Sequence, residues 1–224
     1  LRLMPVMLHS THAAPSSAAL LAIILPAAPE RSDALAVIDA SIGGALLRSL
    51  DRRDFRGGRD ETLLLVGGDS GLQRVLLVGR GATPLTRATA RRAAAIAARQ
   101  AVRLGTGSMT VFLPDASDDA VEGLALGAAA GAWEYPDLKT PPPESDRRAP
   151  LTDITIVCAD SDSARNAFAA GSAVAEGQAI AKRLGQMPGN YCTPETFVQV
   201  GQEIAARHGM TLTVLGRAEM EKEG

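Results

Sequence analysis

The chain has 224 residues, enough for one large domain or for one domain and part of another. Hydrophobic residues make up 46% and aromatics only 3%, so any core is mainly aliphatic. A net charge of −2 lacks the positive excess of a dedicated nucleic-acid binder, and no apolar run reaches the ~18 residues of a membrane span.

At the N-terminus, Arg2 followed by Leu3-Met4-Pro5-Val6-Met7-Leu8 has the outline of a weak signal sequence, but its apolar core is short and broken by Pro5. The absence of an initiating Met suggests a gene fragment or a trimmed product. From Ala18 to Leu25 an aliphatic run ends at Pro26, the pattern of a strand buried on both faces. Asp33 to Leu50 places Leu35, Ile38, Ile42, Leu46 and Leu50 on one helical stripe. Thr62–Val66 and Arg74–Val78 flank a Gly-rich connection and predict two neighbouring strands in a hairpin. A long Ala/Arg helix is expected from about Pro84 to Leu104, with Thr83 as N-cap, Pro84 at the first helical position and Gly105 as its stop.

Met109–Leu113 is the next strand, and Asp118–Trp133 a further helix. Five prolines and mixed charges make 136–150 an extended surface loop. Ile154–Cys158 predicts a strand and Ala164–Leu184 a helix, with Phe168, Ala175 and Leu184 on one face. Thr193-Pro194-Glu195 opens a helix lined by Phe197, Val200, Ile204 and Ala205 and ended by Gly209. Met210, Leu212 and Val214 alternate with Thr211 and Thr213 as a half-buried strand does. The alternation of strands and helices predicts an α/β fold whose sheet is covered on both faces. A strand near residue 214 needs a neighbour, so the fold looks interrupted at Gly224.

Each constellation has a plain structural reading. Gly68-Asp69-Ser70-Gly71 resembles the surroundings of a nucleophilic serine, but that chemistry needs a His held by a carboxylate. His9 and His12 fall in an apparently loose segment and His208 at a helix end, so the glycines are better read as a hairpin turn. Gly79-Arg80-Gly81 sits between a strand and a helix, yet Pro84 occupies the place of the last small residue in a phosphate-binding fingerprint. Asp115, Asp118 and Asp119, and likewise Asp160 and Asp162, lack the pattern of a calcium loop and precede helices, where Asp caps backbone N–H groups. Arg87, Arg91, Arg92, Arg99 and Arg103 decorate one helix, and a solvated face is the plain reading. His9 and His12 have metal-like spacing without a third ligand. Cys158 and Cys192 make no disulfide framework, and reduced thiols in a reducing compartment are the simpler reading.

Three blocks together resemble the leucyl aminopeptidase family of two-metal cytosolic exopeptidases. The first is Asp54-Phe55-Arg56-Gly57-Gly58-Arg59-Asp60-Glu61-Thr62-Leu63-Leu64 with Arg74 to Gly81. The second is Leu126-Gly127 with Trp133-Glu134-Tyr135-Pro136-Asp137-Leu138-Lys139. The third runs from Glu176 through Leu184, Pro188, Asn190 and Thr193-Pro194-Glu195 to Val214-Leu215 and Glu219-Met220-Glu221. Gly189, where a second proline is usual, and Arg80, where an apolar residue is usual, are small departures.

The resemblance implies a mixed sheet flanked by helices in a macro-like domain over residues 1–160. It further implies that 161–224 hold a connecting helix and the incomplete start of an α/β catalytic domain. It implies a cytoplasmic homohexamer that removes N-terminal residues from peptides. Two divalent ions, Mn or Zn, would activate water and polarise the scissile carbonyl, with Lys and Arg stabilising the oxyanion. The family's ligand motifs have no counterpart here, so no catalytic, cofactor or metal residue is assigned, no ion is expected to bind, and the chain alone should be inactive. Two other functions compete: a macro-type module binding a nucleotide or ADP-ribose through Gly67-Gly68 and Gly79-Arg80-Gly81, and DNA binding through the Arg helix.

Overall fold

A computed structural model describes residues 6–13, 15–68, 71–114, 116–135 and 138–224. The larger of two compact units extends to Ile180, the smaller from Ala181 to Gly224. The larger contains strands β1 (Met7–Thr11), β2 (Leu21–Pro26), β3 (Thr62–Val66), β4 (Arg74–Gly81), β5 (Ser108–Phe112) and β6 (Asp153–Val157). Its helices are α1 (Asp33–Ser41), α2 (Ala45–Asp51), α3 (Arg87–Leu104), α4 (Asp118–Ala132) and most of α5 (Asp162–Gln186). The smaller unit holds the end of α5, then α6 (Pro194–His208) and α7 (Arg217–Glu223).

The six strands form one sheet in the order β1-β6-β5-β2-β4-β3. All neighbours are parallel except β3 and β4, which make the expected antiparallel pair, Thr62 opposite Val78 and Val66 opposite Arg74. Ala22, Ile24, Leu76, Val78, Ile154 and Ile156 face α3 and α4. Leu21, Ile23, Val75 and Leu77 face Leu35, Ile38 and Leu46 of α1 and α2. Burial on both sides explains why β2 is an unbroken aliphatic run.

Five sequence expectations change. The stripe from Leu35 to Leu50 belongs to two helices, because Gly43 (φ +65°) and Gly44 (φ +78°) turn the backbone left-handed between them. Asp39 bridges that break: its Oδ1 accepts from the Leu47 N–H at 3.0 Å, capping α2 from the preceding helix. The cap of α3 is Thr86, not Thr83. Thr86 and Thr89 satisfy each other's backbone N–H groups at 2.8 and 3.2 Å, which outweighs a proline two positions earlier. The segment around His9 is an edge strand, with His9 opposite Thr155 of β6. Residues 210–214 make no ladder with any described strand, and Met210, Leu212 and Val214 are exposed, since alternation alone cannot replace a pairing partner. Elsewhere Gly105 (φ +67°), Thr193 with Pro194, and Gly209 (φ +63°) start or stop helices as expected. At the starts of α4 and α5 serines cap in place of the neighbouring carboxylates: Ser117 accepts from the Ala120 N–H at 3.4 Å and Ser161 from the Ala164 N–H at 3.2 Å. Asp118 and Asp119 fill the first turn of α4, while Asp160 and Asp162 both hold Arg165 at 2.7 Å. Asp115 lies outside the described residues.

Helices α3 and α4 meet backbone to backbone. Gly123, Gly127 and Gly131 of α4 lie under the carbonyl oxygens of Arg87, Arg91 and Ala95, and a Cβ on each would stand 2.3, 2.1 and 2.3 Å from them. The inner side of α3 is correspondingly small: Ala90, Ala94, Ala97, Ala98 and Ala101 are all fully buried. Close approach of this kind trades side-chain packing for contact between main chains, including weak Cα–H···O bonds. Gly171 lets α5 approach α4 in the same way, a Cβ there lying 2.5 Å from the Glu122 oxygen.

Candidate functional site

In open α/β sheets, ligands bind beyond the C-terminal ends of the parallel strands. Here that place lies at Pro26 of β2 and Gly79-Arg80-Gly81 of β4. The chain closes it with its own loop, residues 54–61. The Gly79 N–H donates to the Glu61 carbonyl at 2.8 Å and the Gly81 N–H to the Gly57 carbonyl at 3.1 Å. The Gly79 and Gly81 carbonyls accept from Asp60 at 3.0 Å and Ala27 at 3.1 Å. The glycines are needed for this contact: a Cβ on Gly79 would sit 2.0 Å from the Gly58 oxygen, and one on Gly57 1.8 Å from the Pro26 oxygen. Gly79-Arg80-Gly81 is therefore a packing turn whose two glycine amides are already taken up. Arg80 reinforces it by donating to the Thr83 carbonyl at 2.6 Å.

The loop also holds an anion of its own. The Glu61 carboxylate accepts from the Gly58 N–H at 2.7 Å and from the Arg56 N–H at 3.1 Å, so converging backbone amides surround a negative group. Beside it Asp60, at φ +66°, is clamped by the guanidinium of Arg92, whose Nε donates at 2.6 Å and whose Nη2 makes a second, shorter bond. That hydrogen bonding holds the Asp60 carboxyl below its usual range against the opposing effect of burial, with the charges of Arg92, Arg59 and Arg99 adding to it. Arg92 thus ties α3 to the loop, and Arg87 is tied to Glu122 of α4 at 2.5 Å. Two members of the basic stripe are committed to internal ion pairs, while Arg91, Arg99 and Arg103 are exposed on the same helix. The sequence reading did not single out Glu61 or Asp60. Their signal was the three-residue spacing from Gly58 to Glu61, which suits a side chain reaching back to a backbone amide.

The other sequence candidates are scattered. Gly67 and Gly68 follow β3, which runs antiparallel to β4, so they lie at the opposite end of the sheet from Gly79 and cannot share a ligand with it. Asp69 and Ser70 lie outside the described residues. His9 Nε2 is 3.3 Å from Asp153 Oδ1 on the surface, His12 is exposed just after β1, and His208 ends α6. Cys158 and Cys192 are free thiols. Burial pushes the Cys158 thiol up, away from the reactive thiolate, and Cys192 Sγ donates to the Leu184 carbonyl at 3.4 Å. Among the described residues no three His, Cys, Asp or Glu side chains converge closely enough to hold a metal ion, and no helix is long and apolar enough to cross a membrane.

A family model described as the N-terminal domain of the cytosol aminopeptidase family matches residues 24–142, more than half of the sequence. The chain belongs to the cytosol aminopeptidase family. Among similar proteins is a probable cytosol aminopeptidase of Alkalilimnicola ehrlichii, 32% identical over 206 residues that cover 86% of this chain and 41% of the relative. Another, from Halorhodospira halophila, is 33% identical over 208 residues, with 86% and 41% covered. The chain spans about two fifths of the length of these curated relatives. Among solved structures, a mutant tomato leucine aminopeptidase superposes with a TM-score of 0.77 at 17% identity, over 98% of this chain and 46% of that one. The bottromycin maturation enzyme BotP in complex with Mn gives 0.69 at 23% identity, over 92% and 40%. At these identities the superpositions establish a shared fold, the mixed α/β sheet flanked by helices.

Proposed function

We propose that this chain is the N-terminal portion of a metal-dependent leucyl aminopeptidase and acts as its scaffold. Residues 1–160 would form the macro-like domain, and 161–224 the connecting helix and the opening of the catalytic domain. The compact units divide inside α5, at Ile180 and Ala181, which fits a helix that belongs to one body at its start and another at its end. The observation that carries the reading is family membership over part of the relatives' length. The chain matches relatives over most of its own length and about two fifths of theirs. The two divalent ions would belong to the complete protein, and no residue of this chain is proposed to hold them. Substrate peptides, the homohexamer and a cytoplasmic location belong to the complete protein in this reading.

The test is hydrolysis of leucine amide by the purified 224-residue chain with added manganese. No leucine above the uncatalysed background is expected. Turnover comparable to a complete family member would refute the scaffold reading.

A further inference from the structure

The segment 138–150, between α4 and β6, is exposed at every residue. Its internal bonds are local: the Asp146 N–H donates to the Pro143 carbonyl at 2.9 Å, and Arg147 Nε to the Pro142 carbonyl at 3.2 Å. Firm anchorage resumes only at Leu151, which is buried, and at Thr152, whose N–H and Oγ donate to the Gly107 carbonyl at 2.9 and 3.1 Å. Within this segment stand Arg147 and Arg148, one of four pairs of adjacent basic residues in the sequence.

The other three pairs are sheltered by regular structure. Arg91-Arg92 lies inside α3 and Lys182-Arg183 inside α5. Arg52-Arg53 closes α2, with its amides bonded to the Arg48 and Leu50 carbonyls at 3.0 Å and Arg53 left-handed at φ +59°. A protease cleft takes its substrate as an extended strand, and helical or tightly turned backbone must open before it can enter. Arg147 follows a single 3-10 turn, Glu144–Asp146, whose one closing bond from the Arg147 N–H to the Glu144 carbonyl is long at 3.3 Å, and its own backbone is extended at φ −67° and ψ 129°. Both arginine side chains stand at the surface, and the Arg147 guanidinium has only the local bond to the Pro142 carbonyl to give up on entering a carboxylate-lined pocket.

We propose that Arg147-Arg148 is a proteolytic processing site for an endoprotease that selects paired basic residues, and that the nicked chain keeps its sheet. Cleavage hydrolyses the Arg148–Ala149 peptide bond: water supplies a hydroxyl to the Arg148 carbonyl carbon and a proton to the Ala149 nitrogen. The piece from Ala149 onward begins just before β6, which is inserted between β1 and β5 with a parallel ladder on each side. Ile154 and Ile156 are fully buried among residues of the other piece. The cut thus removes a covalent link and no core contact.

Limited digestion of the folded chain tests both halves, with a protease specific for paired basic residues as the probe. The first cut is expected after Arg148, shown by the intact masses of fragments 1–148 and 149–224. These should co-elute in native gel filtration and separate in denaturant. The surface variant R147Q/R148Q should slow that first cut at least tenfold while leaving the circular dichroism unchanged. A first cut at any other basic pair would overturn the site, and separation of the fragments under native conditions would overturn the retained sheet.

Discussion

Replacing Gly127 by Ala tests whether α3 and α4 are held by backbone contact. By helix propensity alone the change is favourable by about 1 kcal/mol. The added Cβ, however, would lie 2.1 Å from the Arg91 oxygen, 2.7 Å from its carbonyl carbon and 2.8 Å from its Cα, where ordinary contact begins at 3.4 Å. None of these atoms belongs to a side chain that can swing away, so α4 has to lift by on the order of 1 Å, and a gap of that size forfeits about a quarter to a half of each dispersion contact along the seam. Setting about 3 kcal/mol of overpacking against about 1 kcal/mol of propensity leaves a net loss of about 2 kcal/mol. For a domain of this size that lowers Tm by roughly 4–8 °C. Gly177, exposed within α5 with nothing inside 4 Å of its would-be Cβ, is the control. There the same substitution should stabilise by up to about 1 kcal/mol. Urea unfolding followed by far-ultraviolet circular dichroism measures both. A Gly127→Ala protein as stable as the parent would refute the reasoning.

Two further substitutions probe the loops that shape the sheet's ends. Asp39→Ala removes the acceptor for the Leu47 N–H and should cost about 1 kcal/mol in urea unfolding, the usual worth of a helix cap. Asp60→Asn tests the Arg92 clamp through pH. A carboxyl held below its usual range contributes stability above its unfolded-state pKa of about 4 and loses it as pH falls through the lower folded value. The parent should therefore exceed Asp60→Asn at pH 6, and the difference should vanish in strong acid and shrink in high salt, because the pair is partly exposed. A difference that persists in strong acid would assign the effect to something other than the charge.

Much of the fold was legible because burial leaves a periodic record. The aliphatic run of β2, the paired runs of β3 and β4, and the Ala face of α3 each announced their environment. What periodicity could not supply was partnership. Met7–Thr11 carries no clear pattern because its side chains are exposed or half-buried, and it becomes a strand only because β6 offers an edge. Residues 210–214 have the pattern and lack the neighbour. The α4 glycines marked no boundary in the sequence, although their four-residue spacing was visible, because a helix face reveals what it avoids without saying what approaches it. The candidate site followed the same division. Glycines signalled a tight turn at residues 79–81, but which atoms would fill it depended on a loop some 20 residues earlier in the chain.

The carboxylate of Glu61 has a consequence for any visiting anion. It is a tethered competitor, present at a local concentration of about millimolar or more that dilution never lowers. A phosphate arriving at the Arg56 and Gly58 amides would have to evict a group covalently leashed five and three residues away, with no new amide to greet it at Gly79 or Gly81. The place where sheets of this shape commonly take up nucleotides is thereby kept for holding the scaffold shut.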